Sequence, residues 1–77
     1  MSASYPVDPI PTGPVQERPR GVQDADQQRT ALLAELEAAG LELGDYDRRT
    51  VDWLAGWEWS TVATIASWVR RTAGDVR

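Results

Sequence analysis

The chain has 77 residues, a length that allows at most one small domain, and its formal net charge at neutral pH is −4. It contains no cysteine and no histidine, so it lacks disulfides, thiolate or imidazole metal ligands and the usual general base. This composition argues against a conventional enzyme and predicts neither a cofactor nor a metal site, and the acidic balance disfavours nucleic acid or an acidic membrane surface as a partner.

Residues 1–22 are predicted to form a flexible, proline-rich arm with polyproline II character. They contain all five prolines of the chain and few apolar side chains: Pro6, Pro9, Pro11, Pro14 and Pro19. We interpret the segment that contains the P-x-x-P spacings as a solvated tail. The alternative is that these prolines dock into an aromatic groove of a partner. The start lacks a signal-peptide pattern, and no apolar run approaches the roughly 18 residues of a membrane span. We therefore expect a cytoplasmic protein without a membrane partner.

The first predicted helix covers residues 24–39, with Asp24 as its N-cap and Gly40 immediately after its end. An apolar stripe at helical spacing runs through Leu32, Leu33 and Leu36. Leu41 after Gly40 is placed for a Schellman ending.

The second predicted helix covers residues 46–55, after Asp45 as N-cap, and ends at Gly56. Asp45 and Asp52 fall within helical reach of Arg48 and Arg49. We interpret these four residues as a cap and solvated ion pairs, rather than as an acid/base pair or a divalent-ion site.

The third predicted helix covers residues 61–73, with Ser60 as N-cap and Gly74 as a possible end. Its apolar face is predicted to contain Val62, Ile65, Ala66 and Val69. No strand signal or internal repeat is present. The sequence thus predicts an all-α fold, in which residues 23–77 form a compact three-helix domain behind the arm.

The tryptophans concentrate in the stretch WLAGWEWST, residues 53–61, in a chain without phenylalanine. A buried tryptophan removes roughly 150–250 Å² from water, so these side chains are suited to a small core, but burying all of them in so small a body is difficult. An exposed tryptophan is a candidate interface anchor. We predict a non-enzymatic interaction module that binds another protein or a second copy of itself. The predicted partner-binding residues are Trp53, Trp57, Trp59 and Trp68, with Arg70 and Arg71 at the rim.

The spacing from Val51 through Gly56 and Val62 to Ile65 resembles that of a helix-turn-helix. Asp52 stands where that family has a small residue, and the arginines of the third helix come at its far end. The resemblance implies an alternative function as a DNA-binding transcriptional regulator. Its recognition helix would expose Ala63 and Ser67 together with the DNA-binding candidates Ser60, Thr61, Thr64 and Arg71.

Residues 41–71 also resemble small helical proteins of actinobacteria and their phages in which runs such as YD-R--V-WLAGWE-STVA recur. This resemblance implies a helical, cytoplasmic protein with a mobile-element origin. It implies no activity and no site residues, because none is assigned to those proteins.

Overall fold

The computed structural model of the chain describes the backbone of residues 7–75 and the side chains of residues 7–73. It contains three α-helices, and no strand occurs among the described residues: α1 is Ala25–Ala38, α2 is Asp45–Leu54 and α3 is Trp59–Asp75. The predicted all-α, three-helix fold is confirmed. None of these helices is long and apolar enough to cross a bilayer.

Both ends of α1 follow the sequence signals. The Asp24 side chain accepts a hydrogen bond from the Gln27 amide at 2.8 Å, and the Gln27 side chain accepts one from the Asp24 amide at 3.2 Å, forming a capping box. At the other end, Gly40 adopts a φ of +80°. The Gly40 amide donates to the Glu37 carbonyl at 2.9 Å and the Leu41 amide to the Leu36 carbonyl at 3.2 Å. This pair of bonds is the predicted Schellman ending.

The predicted N-cap of α2, Asp45, is wrong by one residue. Gly44 occupies the N-cap position, and Asp45 is the first residue of the helix. Glycine has no side chain to cap with, but the Asp47 carboxylate accepts a hydrogen bond from the Gly44 amide at 2.9 Å. The carboxylate that binds the backbone at the start of α2 is therefore that of Asp47 and not, as predicted, that of Asp45.

The predicted ends of α3 also need correction. The Glu58 carbonyl accepts hydrogen bonds from the amides of Thr61 at 3.0 Å and Val62 at 3.2 Å, so the helix begins at Trp59 and Ser60 lies inside its first turn. The Ser60 hydroxyl donates to the Glu58 carboxylate at 2.8 Å instead of capping the helix. At the other end, α3 continues through Gly74 to Asp75.

The core lies where α1 packs against α3 and, over a smaller area, against α2. Its buried cluster consists of Leu32, Val51, Trp59, Val62, Ala63 and Ala66. Val62 and Ala66 were predicted, whereas Ile65 and Val69 are only half-buried. The buried face of α3 is rotated toward Ala63 and Ser67, which are both fully buried.

Residues 7–22, the N-terminal segment, have no helix or strand, but they are not a free arm. The Asp8 amide donates to the Arg20 carbonyl at 2.8 Å and the Arg20 amide to the Asp8 carboxylate at 2.8 Å, which brings the ends of the segment together. Val7 and Ile10 pack against the core cluster, and Pro19 is buried. The expectation of a flexible arm is wrong for this segment, because its few apolar residues cover core side chains.

The remaining residues of the predicted arm, 1–6, lie outside the described residues. They include Pro6, so the spacing from Pro6 to Pro9 falls outside the description as well. Of the second pair, Pro11 is half-buried and Pro14 is exposed.

Candidate functional site

The four tryptophans occupy three different environments. Trp59 is 4% exposed and belongs to the core, with its indole N–H donating to the Asp8 carbonyl at 3.0 Å. It is therefore not accessible to a partner, although it was predicted as a partner-binding residue. Trp59 was predicted to precede the helix, whereas it is the first residue of α3 and belongs to the buried core cluster.

Trp53 and Trp57 form the centre of an exposed aromatic patch, which we define as Tyr46, Trp53 and Trp57. The two indole rings meet edge to face, with centroids 5.6 Å apart and an interplanar angle of 76°. Tyr46 lies seven residues before Trp53 on α2, so both occupy the same face of the helix. The three side chains are 78%, 63% and 49% exposed in chain order.

This patch is exposed because only the C-terminal end of α2 enters the core. Val51 and Ala55 are buried, whereas every residue from Gly44 to Thr50 is exposed. The first two turns of α2 thus extend from the body of the protein. A short helix has little stability of its own in water, so a protruding one is unusual for a chain with so small a core.

Trp68 lies on a separate surface. It is 56% exposed and lines a cleft of about 570 Å³ between α3 and residues 15–19 of the N-terminal segment. A second, smaller depression beside it is lined by Leu41 and Val69. Neither is lined by Trp53 or Trp57, so the predicted tryptophan-rich surface on α2 and α3 consists of two surfaces.

Arg70 has a structural role and does not form an exposed rim. Its guanidinium donates to both carboxylate oxygens of Glu35, at 3.1 and 2.5 Å, and to the Ile10 carbonyl at 3.3 Å. It therefore connects α3 to α1 and to the N-terminal segment. The hydrogen bond to Glu35, opposed in part by burial, raises the pKa of Arg70. Arg71 is half-buried, and its Nε donates to the Ser67 hydroxyl at 3.1 Å.

The structure does not present the recognition face implied by the helix-turn-helix resemblance. Ala63 and Ser67 are fully buried, contrary to that expectation. The DNA-binding candidates are all half-buried, and three of them line the cleft beneath residues 15–19: Ser60, Thr61 and Thr64. The buried face of α3 and the N-terminal segment together account for this difference.

The turn between α2 and α3 has the short length of a helix-turn-helix connection but does not depend on its glycine. Gly56 lies within the turn, and its φ is not in the left-handed region. A Cβ at this position would lie 3.4 Å from the Trp53 carbonyl oxygen. The turn is held instead by a side chain of α1.

Gln28 is that side chain, and the sequence reasoning missed it. It is 2% exposed, and its side-chain amide donates to the Ala55 carbonyl at 2.8 Å and to the Trp57 carbonyl at 2.6 Å. These two bonds fix the turn and thereby the position of Trp57. The available signal was the spacing of Gln28, four residues before Leu32 and eight before Leu36, which puts a polar residue on the apolar stripe.

The carboxylates of α2 are distributed differently from the prediction. The ion pair of Asp52 is with Arg29 of α1, at 2.8 Å, and Arg29 also contacts Asp26 at 2.8 Å. Arg48 and Arg49 form no ion pair among the described residues. Over the same residues, no group of three acidic side chains is close enough together to hold a metal ion.

Comparison with protein families, with characterised proteins and with solved structures finds no match to this chain. The two resemblances drawn from the sequence remain predictions.

Proposed function

We propose that this protein is a non-enzymatic interaction module that binds another protein chain through the aromatic patch on α2. The observation that carries the proposal is the exposure of Tyr46, Trp53 and Trp57, of which Trp53 and Trp57 are in direct ring contact and Tyr46 lies on the same face of α2 as Trp53. Tryptophan and tyrosine are the side chains most enriched among residues that dominate binding energy at interfaces. Burial of the patch by a partner would remove this apolar surface from water.

The patch is suited to binding because much of it is already held in place. The Gln28 side chain donates a hydrogen bond to the carbonyl of Trp57 and so holds its backbone in place. The edge-to-face contact with Trp57 in turn limits the rotation of the Trp53 ring. Side chains that are ordered before binding lose less conformational entropy on association. Trp59 and Arg70 are not part of this interface, because they hold the fold together.

No observation favours the DNA-binding alternative over this proposal. The α3 side chains nearest to the expected recognition face lie beneath residues 15–19, and the net charge is −4. We expect random duplex DNA at low salt to leave the tryptophan fluorescence unchanged. Binding that weakens steeply as salt rises would favour the regulator instead.

Site-specific photo-crosslinking in cells tests the interaction. A photoreactive amino acid replaces Thr50, which lies between Tyr46 and Trp53 on α2, and the matched control carries it at Thr30, an exposed threonine of α1. We expect covalent protein adducts from position 50 that are absent from position 30 and are lost when Trp53→Ala is added. Adducts to another protein or to a second copy both support the proposal, whereas equal labelling from the two positions contradicts it.

A further inference from the structure

We infer that the partner of the aromatic patch is a second copy of this chain, bound with the two α2 helices antiparallel across a twofold axis. This inference rests on the proposed function and specifies its partner. The geometry that points to it is the position of the patch residues relative to the centre of α2.

Two of the three patch residues, Tyr46 and Trp53, are placed symmetrically about the midpoint of the helix. α2 runs from Asp45 to Leu54, so its midpoint lies between Arg49 and Thr50. Tyr46 and Trp53 are equally far from that midpoint, on the same face. In an antiparallel pair with its axis at the midpoint, each Tyr46 therefore lies opposite the partner's Trp53, which is the self-complementary arrangement that a twofold interface requires.

The charges of α2 are compatible with this pairing. The helix carries Asp45, Asp47 and Asp52 against Arg48 and Arg49, so it is nearly neutral although the whole chain is acidic. From the midpoint, the long side chain of Arg49 reaches toward the ring of the partner's Trp53, where a guanidinium makes a favourable cation–π contact. The antiparallel arrangement also sets the two helix dipoles against each other in their favourable orientation.

The exposed area fits a weak dimer. The exposed fractions of Tyr46, Trp53 and Trp57 add up to nearly two whole aromatic side chains, or roughly 400 Å² on each copy. Together with flanking residues, the surface buried by the two copies approaches a total of about 1,000 Å², and specific interfaces smaller than this are rare. We therefore expect dissociation in the micromolar range, and a dimer would also cover the protruding turns of α2.

Sedimentation equilibrium of the full chain over a range of concentrations spanning the micromolar region tests this inference. We expect a monomer–dimer equilibrium whose Kd rises at least about tenfold in Trp53→Ala, as for a central interface residue. The control is Trp68→Ala, which removes a tryptophan of similar exposure from the other surface and should leave the Kd unchanged. Arg49→Glu should weaken the dimer without the loss of an aromatic ring, and circular dichroism verifies that each variant is folded.

The absence of cysteine allows a second test of the geometry. Thr50→Cys places one thiol near the proposed twofold axis, and mild oxidation should link two copies rapidly, whereas Thr30→Cys on α1 should not. A chain that stays monomeric at every concentration overturns the inference, as does a dimer weakened by Trp68→Ala but not by Trp53→Ala. A monomeric chain that still crosslinks another protein from position 50 overturns only this inference, and the proposed function stands.

Discussion

At the scale of single residues, Gln28 holds the turn that precedes α3 through two hydrogen bonds. Its amide group donates to two carbonyls, those of Ala55 and Trp57, and the Gln28 side chain itself is buried. Both carbonyls follow the last residue of α2, where a helix leaves acceptors without intrahelical partners. A side chain that satisfies both of them stabilises the end of α2 and the path of the chain toward Trp59.

Replacing Gln28 with glutamate should destabilise the fold in a pH-dependent way. An ionised carboxylate has no proton to donate, so it would face two carbonyl oxygens in a buried site at a cost of about 3 kcal/mol or more. The folded state favours the protonated form and raises the pKa of the introduced group above its unfolded value of about 4.3. The stability is thus closest to that of the wild type below about pH 4.3 and is lost as the pH rises through the folded pKa.

Urea unfolding of Gln28→Glu and the wild type at matched pH values measures this difference. Gln27→Glu is the matched control, because Gln27 is exposed and its capping-box position accepts glutamate equally well. If both variants lose the same stability at neutral pH, Gln28 does not hold the turn in the way its contacts indicate.

At the scale of elements, the two glycines that follow helices have different roles. Gly40 ends α1 with a φ of +80°, a conformation that is unfavourable for residues with a Cβ. Gly56 follows α2 without a positive φ, and its neighbours leave room for a methyl group at ordinary contact distance. Only the first of these turns depends on glycine.

Alanine at the two positions should therefore have opposite effects. We expect Gly40→Ala to lower the free energy of unfolding by about 1–2 kcal/mol, although nothing lies within 4 Å of the added Cβ. Gly56→Ala should be neutral or stabilising by up to about 1 kcal/mol, because it reduces the freedom of the unfolded chain. Thermal unfolding of both variants checks this, and a large loss of stability in Gly56→Ala would mean that the turn needs its glycine after all.

At the scale of the whole molecule, the N-terminal segment belongs to the folded body. It supplies the hydrogen-bond acceptor for the buried indole of Trp59, and Arg18 forms an ion pair with Glu58 at 2.7 Å. Arg70 ties Ile10 to both α1 and α3. A domain boundary drawn at residues 22 and 23 thus cuts through packed contacts.

Gly21→Ala should release this segment from the helices. A Cβ on Gly21 would lie 2.7 Å from the Cα of Val7, and the φ of +124° is itself unfavourable for alanine. We expect Trp59 to become accessible to a fluorescence quencher and trypsin to cut sooner after Arg20. Gly13→Ala is the control, because nothing lies within 4 Å of its Cβ, and it should behave as the wild type. Unchanged protection of Trp59 in Gly21→Ala would contradict the close packing of Val7 on Gly21.

The sequence by itself determined the features that depend on local interactions. The number and type of helices follow from apolar spacing, and the capping box at Asp24 and the Schellman ending at Gly40 follow from side-chain and backbone preferences within a few residues. The exposure of some tryptophans also followed, because so small a body cannot enclose four of them.

Only the tertiary structure decided which side chains those helices bury and which they leave exposed. Trp59 entered the core as the first residue of α3, which begins two residues earlier than capping by Ser60 would require, and Val7 and Ile10 cover that core from a segment predicted to be free. Gln28 found its two carbonyls 27 and 29 residues away, and no local pattern encodes such a distance. The exposure of the aromatic patch also depends on contacts between segments that are distant in sequence. α1 and the N-terminal segment cover α3 and leave the first turns of α2 without a neighbour.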